Sequence, residues 1–173
     1  MQDILILGIG NLLLKDEGVG VHVVERLKEM QLPDNVEVLD GGTAGLDLVD
    51  FIEGRRKLIV VDAVNADEKP GSIFRLTEEN LDIKPKAIMS FHDIDFLDAL
   101  HMSQVMNSKP EEVVVIGIQP KDMSGGLELS PEIEERIPDI IKLVMKELNS
   151  NGHSSENGNA IKNKGLDSVS STE

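Results

Sequence analysis

Three stretches of this chain consist almost entirely of Ile, Leu and Val: ILIL at Ile4–Leu7, LIVV at Leu58–Val61 and VVVIGI at Val113–Ile118. A strand with both faces covered has no polar alternation, so runs of this kind predict a buried, parallel sheet. Val36–Leu39 reads as a fourth strand, and Ser72–Leu76, behind Pro70-Gly71, as a weaker fifth at an edge. Helical spacing fills the gaps between them. Val19, Val23, Val24, Leu27 and Met30 make one stripe over 18–30, Leu48, Val49 and Ile52 a shorter one over 44–53, and Leu97, Leu100 and Val105 a third over 93–106. The best-spaced set is Ile133, Ile137, Ile140, Ile141, Val144 and Leu148. Ser130-Pro131 before it suits an N-cap and first helical residue, and Pro138 predicts a kink or a restart. Alternating strands and helices predict an α/β three-layer sandwich, with a mainly parallel sheet of about five strands flanked by helices. Residues 1–149 are expected to form one such domain. Residues 150–173 are polar and low in complexity, and are expected to be a disordered tail.

Composition narrows the chemistry. The chain has no cysteine, which removes disulfides, thiolate metal sites and cysteine nucleophiles. Its 32 acids against 17 Lys and Arg give a formal charge of −15. Nucleic-acid binding needs cations to neutralise phosphates, so this balance argues against a nucleic-acid partner. It favours attraction of cations or of a basic peptide instead. No apolar run is long enough to span a membrane. The start, MQDIL, lacks a basic leader, so no signal peptide is expected and the cytoplasm is the expected compartment. A monomer is expected.

The loop after the first strand, ILGIGNLLLKDEGVG, superficially resembles a dinucleotide turn. The full fingerprint needs a third glycine where this chain has Leu13. Asp16 and Glu17 follow, and two carboxylates beside a pyrophosphate would repel it. Gly8, Gly10, Gly18 and Gly20 are expected to allow unusual backbone angles and the close approach of a ligand or a neighbouring strand.

Four side chains converge if the sheet is parallel, because ligands gather at the carboxyl ends of such strands. Glu17 lies in the loop after the first strand, Asp40 ends the second (VEVLDGGT), Asp62 ends the third (LIVVDAV) and His92 opens the third helix (SFHD). Carboxylates and an imidazole suit a borderline divalent cation such as nickel or zinc, with positions open for water or substrate. Each residue also has a plain structural reading. Asp16 and Glu17 could favour a helix N-terminus by charge–dipole attraction. Asp40 and Asp62 could cap loops through backbone N–H groups, and His92 could be a hydrogen-bonding residue at a helix start. His101 shares a face with Leu97 and Val105 and is expected to be partly buried; His22 is expected at the surface, and His153 lies in the tail.

GIGNLLLKDEGVG, LDGGTAG, VVDAV, SFHD and GIQP occur here in the order found in the hydrogenase maturation endopeptidases, the processing proteases of nickel–iron hydrogenase large subunits. The chain resembles that family from residue 3 to about 148, and the combination of motifs is far more specific than any one of them. The resemblance implies metal ligands at Glu17, Asp62 and His92, and places Asp40 on an acidic residue of activity or substrate recognition. It implies removal of a C-terminal extension from the large-subunit precursor once nickel is installed, after a His or Arg near the terminal cysteine motif. The new C-terminus then folds inward over the metal centre. The nickel would come with the precursor or reside in the protease, and zinc or another divalent cation could occupy the isolated site. The first source is favoured, because it explains selective processing of loaded substrate. A nickel-handling factor that cuts nothing is the alternative. No Gly-x-Ser-x-Gly elbow and no His-Glu-x-x-His helix offers another source of hydrolysis.

Overall fold

The computed structural model describes residues 3–79 and 91–150, without the side chains of 91–95. The order is β1 (Ile4–Ile9), α1 (Val19–Lys28), β2 (Val36–Gly42), α2 (Val49–Ile52), β3 (Lys57–Ala63), β4 (Ile73–Thr77), α3 (Phe91–Val105), β5 (Glu112–Ile118), α4 (Pro131–Glu134) and α5 (Ile137–Asn149). Short 3-10 helices at Lys15–Gly18 and Gly45–Leu48 lead into α1 and α2. The five strands form one sheet in the order β2-β1-β3-β5-β4. All neighbours are parallel except β4, which runs antiparallel to β5 at the edge. The architecture is the α/β sandwich that the apolar runs predict, and the weak strand is an edge. Of the proposed tail, 150–173, residues 151–173 lie outside the described residues.

The uninterrupted apolar strands fill two cores at once. Ile4, Ile6, Ile59, Val61, Ile116 and Ile118 pack with α1, α4 and α5 on one face. Leu5, Leu7, Leu58, Val60, Val113 and Val115 pack with α2 and α3 on the other. Each such side chain contributes roughly 1.5–3 kcal/mol on burial, so β3, buried along its whole length, is the spine of the fold.

Close approach of α1 to the sheet depends on two glycines. A Cβ on Gly20 would stand 2.1 Å from the Val61 carbonyl oxygen, and one on Gly8 would stand 2.3 Å from the Gly20 carbonyl oxygen. Helix and strand backbones therefore meet with no side chain between them. At the other end of the chain, the helical pattern breaks after Glu134 and restarts at Ile137, with Pro138 in the first turn of α5. That position needs no intrahelical N–H bond, so the proline fits there.

Two helical stripes differ from expectation. Val105 is 77% exposed and His101 is exposed, because α3 turns Phe96, Ala99, Leu100 and Ser103 to the core. Met30 lies beyond the end of α1 and is exposed, whereas His22 is half-buried rather than at the surface. Among the described residues no helix is long and apolar enough to cross a membrane.

Candidate metal centre

The strand order reverses direction after β1: β2 lies on one side of it and β3 on the other. In open α/β sheets, a reversal of this kind is where ligands bind, outside the carboxyl ends of the strands, here those of β1 and β3. The loop from β1 turns at Gly10, whose φ of 137° lies in the region that favours glycine. A Cβ there would also sit 1.9 Å from the Glu17 carbonyl oxygen. The chain thus doubles back until the backbone of Glu17 touches the end of β1. The 3-10 helix Lys15–Gly18 packs against β3 as well.

Asp62 is the penultimate residue of β3, beside Gly117 of β5 in register. It is 2% exposed, and Glu17 is 8% exposed. Carboxylates so removed from water need hydrogen bonds or a cation to offset their lost hydration. Asp62 Oδ1 accepts the Ala63 amide at 2.8 Å, which realises the loop-capping role its position allows. These two acids, on neighbouring elements at the switch point, have the donor chemistry of a divalent-cation site.

Asp40 stands on the same edge of the sheet but on β2, with β1 between it and Asp62. It is exposed, and its Oδ1 accepts the Gly42 amide at 2.8 Å across a strand irregularity. His92 falls in the first turn of α3, and its side chain lies outside the described residues. Among the described residues, no three His, Asp or Glu side chains form a group able to hold a metal ion.

Two residues carry more of the edge than sequence reasoning assigned to them. Asp16 is fully buried. Its carboxylate accepts the amides of Lys121 (2.9 Å), Asp122 (2.8 Å) and Ser130 (2.7 Å) and the Ser130 hydroxyl (2.8 Å). Ser130 is the N-cap of α4 by backbone, as its place before Pro131 predicts, but its hydroxyl serves Asp16 rather than the helix. Gln119, within GIQP, accepts the amides of Ala66 (2.8 Å) and Glu68 (3.3 Å) and donates to Asn65 Oδ1 (3.2 Å), tying down the loop that follows Asp62. The only signal for either was a polar residue inside a short glycine- or proline-marked motif.

The rim is reinforced by Lys15, which adopts a φ of 45° that costs a non-glycine residue on the order of 1 kcal/mol or more. Its amide donates to the Gly126 carbonyl at 2.9 Å and its ammonium pairs with Asp122 at 2.5 Å. Hydrogen bonds from Lys15 and from the Ser124 amide hold the Asp122 carboxyl far below the usual carboxylate range.

A family model described as hydrogenase maturation protease (HycI) matches residues 21–147. The hydrogenase 2 maturation protease of Escherichia coli is 34% identical over 151 residues, covering 86% of this chain and 92% of that protein. The hydrogenase expression/formation protein HupD of Rhodobacter capsulatus is 38% identical over 169 residues, covering 96% and 80%. Among solved structures, the E. coli hydrogenase maturating endopeptidase HybD superposes with a TM-score of 0.79 at 34% identity, over 84% of this chain and 91% of that one. The [NiFe] hydrogenase maturation protease HybD of Thermococcus kodakarensis gives 0.72 at 27% identity, over 83% and 97%. The chain belongs to the hydrogenase maturation protease family, and its role is that of an endopeptidase in hydrogenase maturation.

Proposed function

We propose that this endopeptidase removes the C-terminal extension of a nickel–iron hydrogenase large-subunit precursor after nickel insertion, and that Glu17, Asp62 and His92 grip the nickel carried by that precursor. The observation that carries the reading is the delivery of two nearly buried carboxylates, Glu17 and Asp62, to the switch-point edge of one sheet. A divalent ion held by these residues would lower the pKa of water and polarise a scissile carbonyl, supplying hydrolysis in a chain without cysteine.

The protein's own residues then have separate tasks. Glu17 and Asp62 present anionic oxygens from a rigid frame, because one is fixed by the Gly10 turn and the other by the central strand. Asp40 is assigned the basic residue that precedes the cut, a reading supported by its exposure and by an oxygen held on the Gly42 amide. A site lined by acids draws in that residue and the metal together.

Incubation with nickel-loaded precursor tests the reading by loss of a short C-terminal peptide on a gel. Wild type should release it; Glu17→Gln and His92→Ala should not, while melting within a few degrees of wild type. Normal cleavage by Glu17→Gln contradicts the assignment, and nickel binding without peptide release by wild type points to a nickel-handling factor. Asp40→Asn should raise KM for the precursor with little change in melting temperature; unchanged kinetics remove Asp40 from the site.

A further inference from the structure

Asp16 and Glu17 are consecutive in one 3-10 helix, yet they do different things. Asp16 sends its carboxylate into the segment after β5, where four donors from Lys121, Asp122 and Ser130 close on it. The connection is continued by backbone bonds. The Asp16 amide donates to the Asp122 carbonyl at 3.1 Å, the Lys15 amide to Gly126 at 2.9 Å, and the Gly126 amide to Leu13 at 2.9 Å. The loop after β1 and the loop after β5 are thereby joined into one rim, although their strands are separated by β3.

We propose that Asp16 is a positioning residue: through it the Lys121–Ser130 segment sets where the Glu17 carboxylate stands, so that segment is part of the frame of the metal-gripping site. This inference rests on the reading of Glu17 given above. Adjacent Cα atoms are locked about 3.8 Å apart, so a shift at Asp16 is passed on to Glu17. A misplacement of about 1 Å in a reacting or gripping group is enough to cost on the order of 100-fold. The clamp also resists relaxation. A fully buried carboxylate with four donors loses charge-assisted bonds when it moves, and nearby water cannot replace them. Asp16→Asn keeps the shape but turns an NH2 group toward donors, which disrupts one side of the clamp. Ser130→Ala removes a single donor from the distant end and leaves the Asp16 side chain itself unchanged.

The test uses the full chain and Ni²⁺ as probe, with affinity measured by titration calorimetry, alongside kcat and KM for precursor cleavage. All measurements are made well below the melting temperature of each variant. Asp16→Asn should weaken Ni²⁺ binding by about 10–100-fold, the range typical of residues that orient metal ligands. It should lower kcat/KM in parallel. Ser130→Ala should move both in the same direction by a smaller factor. Folded Asp16→Asn and Ser130→Ala proteins with wild-type Ni²⁺ affinity, when Glu17→Gln has lost it, overturn the positioning role alone. Wild-type affinity in Glu17→Gln overturns the reading of Glu17 itself. If Asp16→Asn does not fold, Ser130→Ala decides.

Discussion

At Gly20 a single hydrogen in place of a methyl group determines whether α1 can reach the sheet. Both atoms nearest a Cβ there, the carbonyl oxygens of Val61 and Ile9, belong to strand backbone that cannot give way cheaply. Gly20→Ala should cost about 3 kcal/mol in a urea melt, at the upper end for overpacking. Gly125→Ala, where nothing lies within 4 Å, should stay within about 0.5 kcal/mol; equal effects at the two positions would contradict the packing account. The glycine spacing was legible in the sequence, and its two offered causes were a ligand or a neighbouring strand. Gly20 meets strand backbone, at Val61 and Ile9, whereas Gly8 meets the backbone of α1 at Gly20. Asp16 was less legible, since nothing near it in sequence shows that its donors lie more than a hundred positions away, at Lys121, Asp122 and Ser130.

Among elements, α5 was read well as an amphipathic helix, yet it hides a charge that periodicity does not show. Glu147 is buried on it, receives two bonds from Arg75 of β4 (2.6 and 3.1 Å), and faces Lys57, the fully buried first residue of β3. Lys57 pairs in turn with Glu112 at 2.9 Å and donates to the Ser150 hydroxyl at 3.0 Å. Burial by itself pushes the Glu147 carboxyl up, but the Arg75 hydrogen bonds and the charges of Arg75 and Lys57 prevail and hold it below the ordinary Glu range. A depressed folded pKa adds stability above the unfolded value, about 4.3, and that stability is lost as pH falls through the folded value. The wild-type melting temperature should therefore drop more steeply than that of Glu147→Gln between about pH 5 and pH 3. Parallel curves would contradict the ion-pair account. At neutral pH Glu147→Gln should lose roughly 3 kcal/mol, since Lys57 stays buried with one partner fewer. In the α3 stripe Leu97 and Leu100 do pack on the core and Val105 does not; the inward face is completed by Ala99 and Ser103, small residues that carry little weight in a search for large apolar ones.

For the whole molecule, strand direction explains how residues far apart in sequence reach one edge. Unbroken apolar runs require covered faces, covered faces require helical crossovers, and crossovers make strands parallel with their carboxyl ends together. Asp40 and Asp62 could be placed on that edge from sequence for this reason. The reversal of strand order between β1 and β3, which sets Glu17 and Asp62 at the switch point and leaves Asp40 one strand away, could not. Neither could the joining of the β1 and β5 loops into one rim, which depends on bonds formed only after the sheet is assembled. The most direct check on the metal site is anomalous diffraction from crystals of the full chain soaked in a nickel salt. The account predicts one strong nickel peak at the switch-point edge, within about 2.0–2.3 Å of side-chain atoms of Glu17, Asp62 and His92 together. A nickel peak elsewhere with that edge empty, or one from which any of the three side chains is turned away, would contradict it.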